Sequence, residues 1–469
     1  MKLQMHFFKI SVCILFSIIY WAPLAIYAQN DVDSVKVTGK LIWRDTAIKG
    51  FPKKVKIISR YNPLFVSSAE VDSLGNYSTV LPTDSYMIAP AVPYHYYDAF
   101  IRIDTKQSKL FCELKDNKEM VLPALKIDTL GKTGYIPEKG ILHGDFTTEK
   151  IKKIDAFVET TMAYYHVPGA SLAVIKNGNV IHNRVYGVEN FITHEPVNEN
   201  TLFEAGSVTK PVFAYAVMRL VEKGIIDLDK PLYEYLPFED VAHDDRYKRI
   251  TARLILSHQS GFPNWAERND DGQFDLLFTP GTQFGYSGEG FEYLKRVTEH
   301  VTQKDIGTIL KEEVLVPLNW NDVYFKTTEE VKQRISNGQS LKGFPSRNSR
   351  VKNPMMAYSM VVEAQSFVNF ALGLRNRKGL RSDTYDEMLK IHSTEEDGFH
   401  WGLGLHLEET NLGIAYGHSG YMPSSGFLCN FIFFPELDMG YVMFTNSTTG
   451  WWLTIELLKE FLITGKGNS

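Results

Sequence analysis

The chain has 469 residues, 44% of them hydrophobic and 22% charged, an ordinary globular composition with room for two or three domains. A formal net charge of -5 excludes the strongly basic surface a nucleic-acid binder needs and leaves the charge of a substrate undecided.

Residues 1–28 read as a targeting segment. Lys2 and Lys9 supply a positive start and Ile10 to Tyr20 an apolar core. Leu24-Ala25-Ile26-Tyr27-Ala28 offers a cleavage site before Gln29. The expectation is a secreted or periplasmic protein, with an uncleaved anchor as the lesser alternative, since the apolar run is short for a membrane span. Of three cysteines, Cys13 lies in that segment. Cys112 and Cys429 fall in different domains, so two idle thiols are expected rather than a disulfide. No Cys/His cluster has the spacing of a metal site, and neither metal nor cofactor is expected.

Residues 29–130 read as short strands with turn punctuation: Val35 to Trp43, Lys54 to Ser59, Tyr77 to Leu81, Tyr86 to Ala91 and Ala99 to Ile103, with a hairpin turn at Asp72-Ser73-Leu74-Gly75-Asn76. V-T-G-K-L and D-S-L-G-N-Y-S-T-V-L-P with Y-M-I give this block a resemblance to transthyretin-like or carboxypeptidase-regulatory modules, which implies an all-β sandwich. Its aromatic cluster, Pro93 to Phe100, is either rim packing or a platform for carbohydrate or another protein. A linker, 131–140, follows.

From 141 to 469 the pattern changes. Ile151, Ile154, Phe157, Val158 and Met162 are spaced for an amphipathic helix. A hairpin comes next, Ala170 to Ile175 and Val180 to Gly187 around Lys176-Asn177-Gly178-Asn179. The middle, from Ile225 to about Lys390, is mostly helical with long polar loops. Strands near Trp401 to Leu407, Ile414 to His418, Gly426 to Phe434 and Met439 to Thr445 precede a closing helix, Trp451 to Leu462. Helices at both ends and strands from both ends predict an α+β domain whose sheet is closed by its termini.

Three elements in this domain carry chemistry. In the stretch Glu204 to Val221 the spacing of Val208, Phe213, Val217, Leu220 and Val221 fits one buried face of a helix that begins at Gly206-Ser207, with Gly224 placed to end it. Ser207 and Lys210 then lie one turn apart near its start. A serine hydroxyl needs a neighbouring base, and a lysine in a partly apolar pocket loses its charge readily enough to serve. Pro211 sits near the first turn, where a missing N–H matters least. A second Ser-x-x-Lys, Ser349 to Lys352, lies in a polar run with no apolar face behind it. Pro280-Gly281-Thr282 marks a turn that delivers Tyr286, whose phenolate cationic neighbours would favour; Tyr358-Ser359 is a copy without such a turn. Finally Gly417-His418-Ser419-Gly420-Tyr421 ends a strand where glycine allows close approach to a substrate.

In this order, Ser207-Val208-Thr209-Lys210, Tyr286-Ser287-Gly288 and His418-Ser419-Gly420 resemble the Ser-x-x-Lys, Tyr-x-Asn and Lys-Thr-Gly motifs of the serine β-lactamase/penicillin-binding-protein superfamily, in its class C β-lactamase, DD-carboxypeptidase and esterase branch. V-P-G-A-S-L-A-V-I at Val167 and L-I-L-S-H-Q-S-G-F at Leu254 also look familial. The resemblance implies an exported serine hydrolase working through an acyl-enzyme on an ester, peptide or amide, cell-wall peptide among them. Ser207 would be the nucleophile, and Lys210 and Tyr286 would move protons, either being the acylation base. An oxyanion site would lie between the N–H groups of Ser207 and Tyr421, with His418, Ser419 and Gly420 along the substrate. Gly288 stands where the family's asparagine helps hold an amide, and His418 where class C β-lactamases have lysine. Peptidase or esterase therefore ranks above β-lactamase, and a catalytically silent binding or sensor protein is the alternative of another class. If His418 faces the substrate, its charging below pH ~6.5 should favour carboxylate-bearing substrates.

Overall fold

The computed structural model describes the strands between 34 and 127, and 147–462 apart from 166, 191–192, 340–350, 397 and 411. The targeting segment, the Pro93–Phe100 cluster, Cys112 and Ser349 lie outside the described residues. The chain divides into two compact units, Met1–Glu138 and Lys139–Ser469.

In the first unit Ser34–Trp43 pairs antiparallel with Asn76–Pro82 and parallel with Glu119–Val121 and Leu125–Ile127. A second sheet has the order Val66–Glu70, Lys54–Ser59, Ser85–Pro90, Ile101–Asp104. The turn at Asp72 is held by its carboxylate, which accepts from the Asn76 N–H at 2.8 Å. Val66–Glu70 (V-S-S-A-E) is mostly polar, and Glu113–Lys115, Glu119–Val121 and Leu125–Ile127 have three residues each, too few for an apolar alternation to reveal a strand in sequence.

The second unit opens with helix α1 (Thr148–Tyr165), which buries Ile154, Phe157, Val158 and Met162. Strands β1 (Gly169–Lys176) and β2 (Asn179–Asn190) follow as a hairpin. Asn177 (φ 50°) and Gly178 (φ 72°) are both left-handed, as a two-residue turn between right-twisted strands requires. After β3 (Glu195–Pro196), β4 (Phe203–Glu204) and a 3-10 turn at Gly206–Val208 comes α2 (Thr209–Glu222). A mostly helical stretch holds α3 (Gly288–Thr302), β5 (Val361–Val362) and α4 (Ala364–Arg375). The chain then returns through β6 (Ser393–Glu396), β7 (Phe399–Trp401), β8 (His406–Thr410), β9 (Gly413–Met422), β10 (Phe427–Phe434), β11 (Met439–Thr445) and α5 (Gly450–Leu462).

These strands form a nine-stranded sheet, β3-β2-β1-β11-β10-β9-β8-β7-β6, in which the first hairpin meets the last strand in its interior, third against fourth. The architecture is the expected α+β. Central strands β1, β10 and β11 are buried on both faces. One face packs Phe431 and Phe444 against Phe367 of α4, with ring centroids 5.1 and 5.6 Å apart. On β11 the alternate residue Tyr441 donates to Thr454 O of α5, and Tyr165 of α1 to Glu456. Two expectations change. The run 401–407 is not one strand, because Gly402 and Gly404 turn the chain between β7 and β8; a β-carbon at Gly402 would lie 2.4 Å from Met388 O, and Gly404 has φ +77°. Nor is α2 one-faced: every residue from Thr209 to Met218 is buried, so it runs through the core between the helical region and the sheet.

Candidate active site

The Ser207 turn is pinned from behind. Strand β4 pairs with β5, Ala205 N donates to Met360 O, and Thr209 Oγ1 accepts from Met360 N at 3.0 Å. Lys210 and Pro211 therefore occupy the second and third helical positions, where backbone N–H groups have no intrahelical acceptor and proline loses nothing. Gly206 takes φ +53°, and β9 runs directly over the turn. A β-carbon on Gly420 would sit 1.9 Å from Ala205 O and 3.2 Å from Ser207 N. Glycine at 420 is thus demanded by contact with the Ser207 turn, where the sequence suggested contact with a substrate. The backbones of Ser207 and of Tyr421, one residue beyond Gly420, come from these two facing segments.

Lys210 is 1% exposed and its Nζ lies 3.2 Å from Ser207 Oγ and 2.7 Å from Ala357 O. Burial pulls its pKa down from 10.5 to about 7, with Glu292 opposing. The ammonium stands 4.8 Å from the centre of the Tyr286 ring. Burial also acts on the Tyr286 hydroxyl, here upward, and outweighs the opposing pull of Ser207. The cation-favoured phenolate expected from sequence is therefore not present: desolvation wins, and Tyr286 stays a phenol. Among the described residues its oxygen has no full hydrogen-bond partner, although Ser207 is near enough to influence it.

His418 stands 6.4 Å from Tyr286, centroid to centroid, and 5.4 Å from Trp401. Its Nδ1 lies 2.7 Å from Ser419 O, and since a carbonyl only accepts, Nδ1 must carry the proton. Burial, reinforced by Lys210, holds its pKa well below 6.5. The expectation that His418 charges near pH 6 is overturned, because a second cation cannot be desolvated beside Lys210. Ser419 lies opposite Asn430 of β10, whose Nδ2 donates to its hydroxyl at 2.8 Å.

Gly288 begins α3 behind Ser287, whose hydroxyl caps the helix by accepting from Gly290 N. A β-carbon there would lie 2.9 Å from Asn264 O and 3.0 Å from the Trp265 indole, and Gly288 N donates to Asn264 Oδ1 at 3.0 Å. The space an asparagine side chain would need is filled by the loop 263–266.

Several residues at the site went unassigned in sequence. His258, inside the L-I-L-S-H-Q-S-G-F segment, stacks on Tyr286 with centroids 4.2 Å apart and accepts from Ser287 N at its Nδ1. Ala357 precedes the Tyr358-Ser359 copy, which lacks the turn that announces Tyr286, yet its carbonyl holds Lys210. Trp401 closes the box against His258, Tyr286 and His418. Only the apolar-polar-glycine texture around His258 was a usable signal; the others depend on tertiary contact.

Comparisons with known proteins bear on the family and the fold. The family model described as Beta-lactamase matches residues 154–452. Protein flp of Staphylococcus aureus (strain N315) is 24% identical over 212 residues, covering 42% of this chain and 43% of its own length. Esterase EstB of Burkholderia gladioli is 27% identical over 204 residues, covering 38% and 52%. The chain thus spans about half the length of the curated relatives it matches. Among solved structures, the octameric penicillin-binding protein homologue from Pyrococcus abyssi superposes with a TM-score of 0.57 at 23% identity, over 66% of this chain and 77% of that one. A crystal structure of SurE gives 0.55 at 25% identity, over 68% and 76%.

Proposed function

The chain belongs to the beta-lactamase family, within the serine β-lactamase/penicillin-binding-protein superfamily, and we propose that it is an exported serine hydrolase acting through an acyl-enzyme, with esters as its preferred substrates and peptides next. The observation that carries this reading is the 3.2 Å approach of Lys210 Nζ to Ser207 Oγ in a site where burial leaves the lysine near pKa 7. Near neutral pH a large fraction of Lys210 is then a free amine, a competent base for the serine proton. Tyr286, kept as a phenol, is suited to the other task. As Ser207 Oγ bonds to the carbonyl carbon, its proton passes to Lys210, and the carbonyl electrons move onto the oxyanion between the Ser207 and Tyr421 amides. When that oxyanion collapses, the bond to the leaving group breaks and Tyr286 gives it a proton, regaining one from Lys210. Water then attacks the ester carbon, giving its proton to the same groups, and as the second oxyanion collapses the bond to Ser207 Oγ breaks and Oγ takes that proton, restoring the serine.

A neutral His418 offers a substrate carboxylate no counter-charge, and the Asn264–Trp265 loop fills the space an amide-holding asparagine would use. Both favour an uncharged acyl donor without an acylamino group over a penicillin. The amino-terminal block serves in this reading as a β-sandwich accessory module that binds carbohydrate or another protein. A labelled fluorophosphonate, followed by peptide mapping, should mark Ser207. A parallel screen of p-nitrophenyl esters, D-Ala-D-Ala peptides and nitrocefin should rank them in that order. An unlabelled Ser207 with no turnover in any arm would move the protein to the silent binding class.

A further inference from the structure

Lys210 does not rest on an isolated carbonyl. Ala357 accepts from Lys210 Nζ through its C=O at 2.7 Å and donates its own N–H to Glu292 Oε1 at 2.9 Å. One residue thus has both backbone polar groups committed, one to the base and the other to a carboxylate. The Ser207–Lys210–Tyr286 proton path described above leaves Glu292 without a task. We propose that Glu292 is a positioning residue for Lys210: it fixes, through Ala357, the carbonyl that aims the amine at Ser207, and its charge sets how readily the ammonium releases its proton. The consequence for turnover rests on the hydrolase reading; the linkage itself does not.

The surroundings leave Glu292 in command of that charge. It projects from α3, six residues after Tyr286, and lines a cleft of about 310 Å³ with Trp265, Arg268, Glu289, Arg296 and Met355. Arg268 is taken up by Asp240 and Glu289. Arg296 lies over the Phe238 ring, and Lys295 is 4.0 Å from the carboxylate, at the limit of an ion pair. Facing Lys210 from the remaining elements are the Tyr286 and Phe291 rings, with His258 and His418, both of which burial holds well below their ordinary pKa and hence neutral. Burial raises Glu292, and Ala357, Lys295 and Lys210 oppose that rise. Burial lowers Lys210 in turn, and Glu292 is the charge opposing it. A base desolvated without such a partner would be more acidic still, and so a weaker proton acceptor once neutral.

The test is the titration of Lys210 in the full chain by NMR of carbon-labelled lysine, the signal being identified by its loss in Lys210→Met. Glu292→Gln keeps an acceptor for the Ala357 N–H and removes the charge. Its Lys210 midpoint should fall by about one pH unit, the low end of what a nearby opposite charge does. In turnover the acidic limb of the same variant's pH profile should move down with that midpoint, and its plateau kcat should fall by a few-fold at most, since the neutral amine is a weaker base. Glu292→Leu removes acceptor and charge together, and there kcat should drop about tenfold or more with KM little changed, the mark of a misaimed base. An unmoved Lys210 midpoint in Glu292→Gln overturns the proposal, whatever happens to kcat. A wild-type protein that never acylates at Ser207 defeats the hydrolase reading instead, and the titration still decides the linkage.

Discussion

Replacing Lys210 by methionine should make the protein inactive and, as pH falls, progressively more stable relative to wild type. Lys210 is 1% exposed, and burial sets its pKa at about 7 against 10.5 for the free side chain. The unfolded chain therefore binds more protons than the folded one between those values, so wild-type stability falls as pH drops through that window and levels off below about 7. At about 1.4 kcal/mol per pH unit, and with Lys210 half protonated at its own midpoint, the change between pH ~9 and pH ~7 comes to about 2 kcal/mol. Methionine has similar length and no proton to bind. It leaves Ala357 O without the Lys210 donor, a penalty of about 1–3 kcal/mol that is the same at both pH values and cancels. His258 and His418 do not intrude, since burial holds both well below 6.5. Urea denaturation of wild type and Lys210→Met at the two pH values measures the gap directly. The variant should gain about 2 kcal/mol on wild type in going from pH ~9 to pH ~7. A gap that stays constant would mean that Lys210 remains a protonated, solvated ammonium, and the assignment of Lys210 as base would fall with it.

Ser207→Ala should reduce hydrolysis by several orders of magnitude with little change in folding, since one member of a nucleophile–base unit is nearly as costly to lose as the whole; turnover close to wild type would refute the nucleophile. Acylation rates of a carboxylate-bearing and an uncharged donor should follow parallel pH profiles from about pH 5.5 to 8, because His418 stays neutral; tighter binding of the charged donor toward pH ~6 would restore the charging histidine. Gly288→Asn should lower stability by about 1–3 kcal/mol through overpacking against Asn264 and Trp265, without improving nitrocefin hydrolysis; a stable variant with gained β-lactamase activity would contradict the filled-space argument. The unit Lys139–Ser469 expressed alone should keep activity on small esters, because the first unit supplies none of the nucleophile, base or tyrosine; a soluble but inactive product would give the first unit a part in the site.

What was legible in sequence was whatever is written locally. The Asn177-Gly178 turn, the spacing of Ile154 to Met162 and the Ser207–Lys210 interval depend on one turn of backbone, and the structure has each as read. Helix α2 was misread as one-faced because periodicity shows which residues are apolar, not how many neighbours surround them; Lys210 and Thr209 are as buried as Phe213. Charges were misjudged for a related reason. Composition places a lysine beside a tyrosine and a histidine but says nothing of solvent, and it is desolvation that keeps Tyr286 a phenol and His418 neutral. Ala357 and Glu292 were out of reach altogether, since a backbone carbonyl 147 residues from Lys210 carries no sequence mark.

The register Ala170↔Thr445 joins residues 275 positions apart, in the interior of the sheet. During synthesis, β1 and β2 emerge early and must wait, with the apolar faces of β1 bare, until nearly the whole unit has been made. Strand β9, which lies over the Ser207 turn, also arrives late, and it is flanked on one side by β10, which in turn needs β11. Such long-range closure is slow, because the loop entropy must be spent before any contact repays it. A nascent or C-terminally shortened chain thus carries Ser207 and Lys210 in sequence long before the strand that faces their turn can be in place.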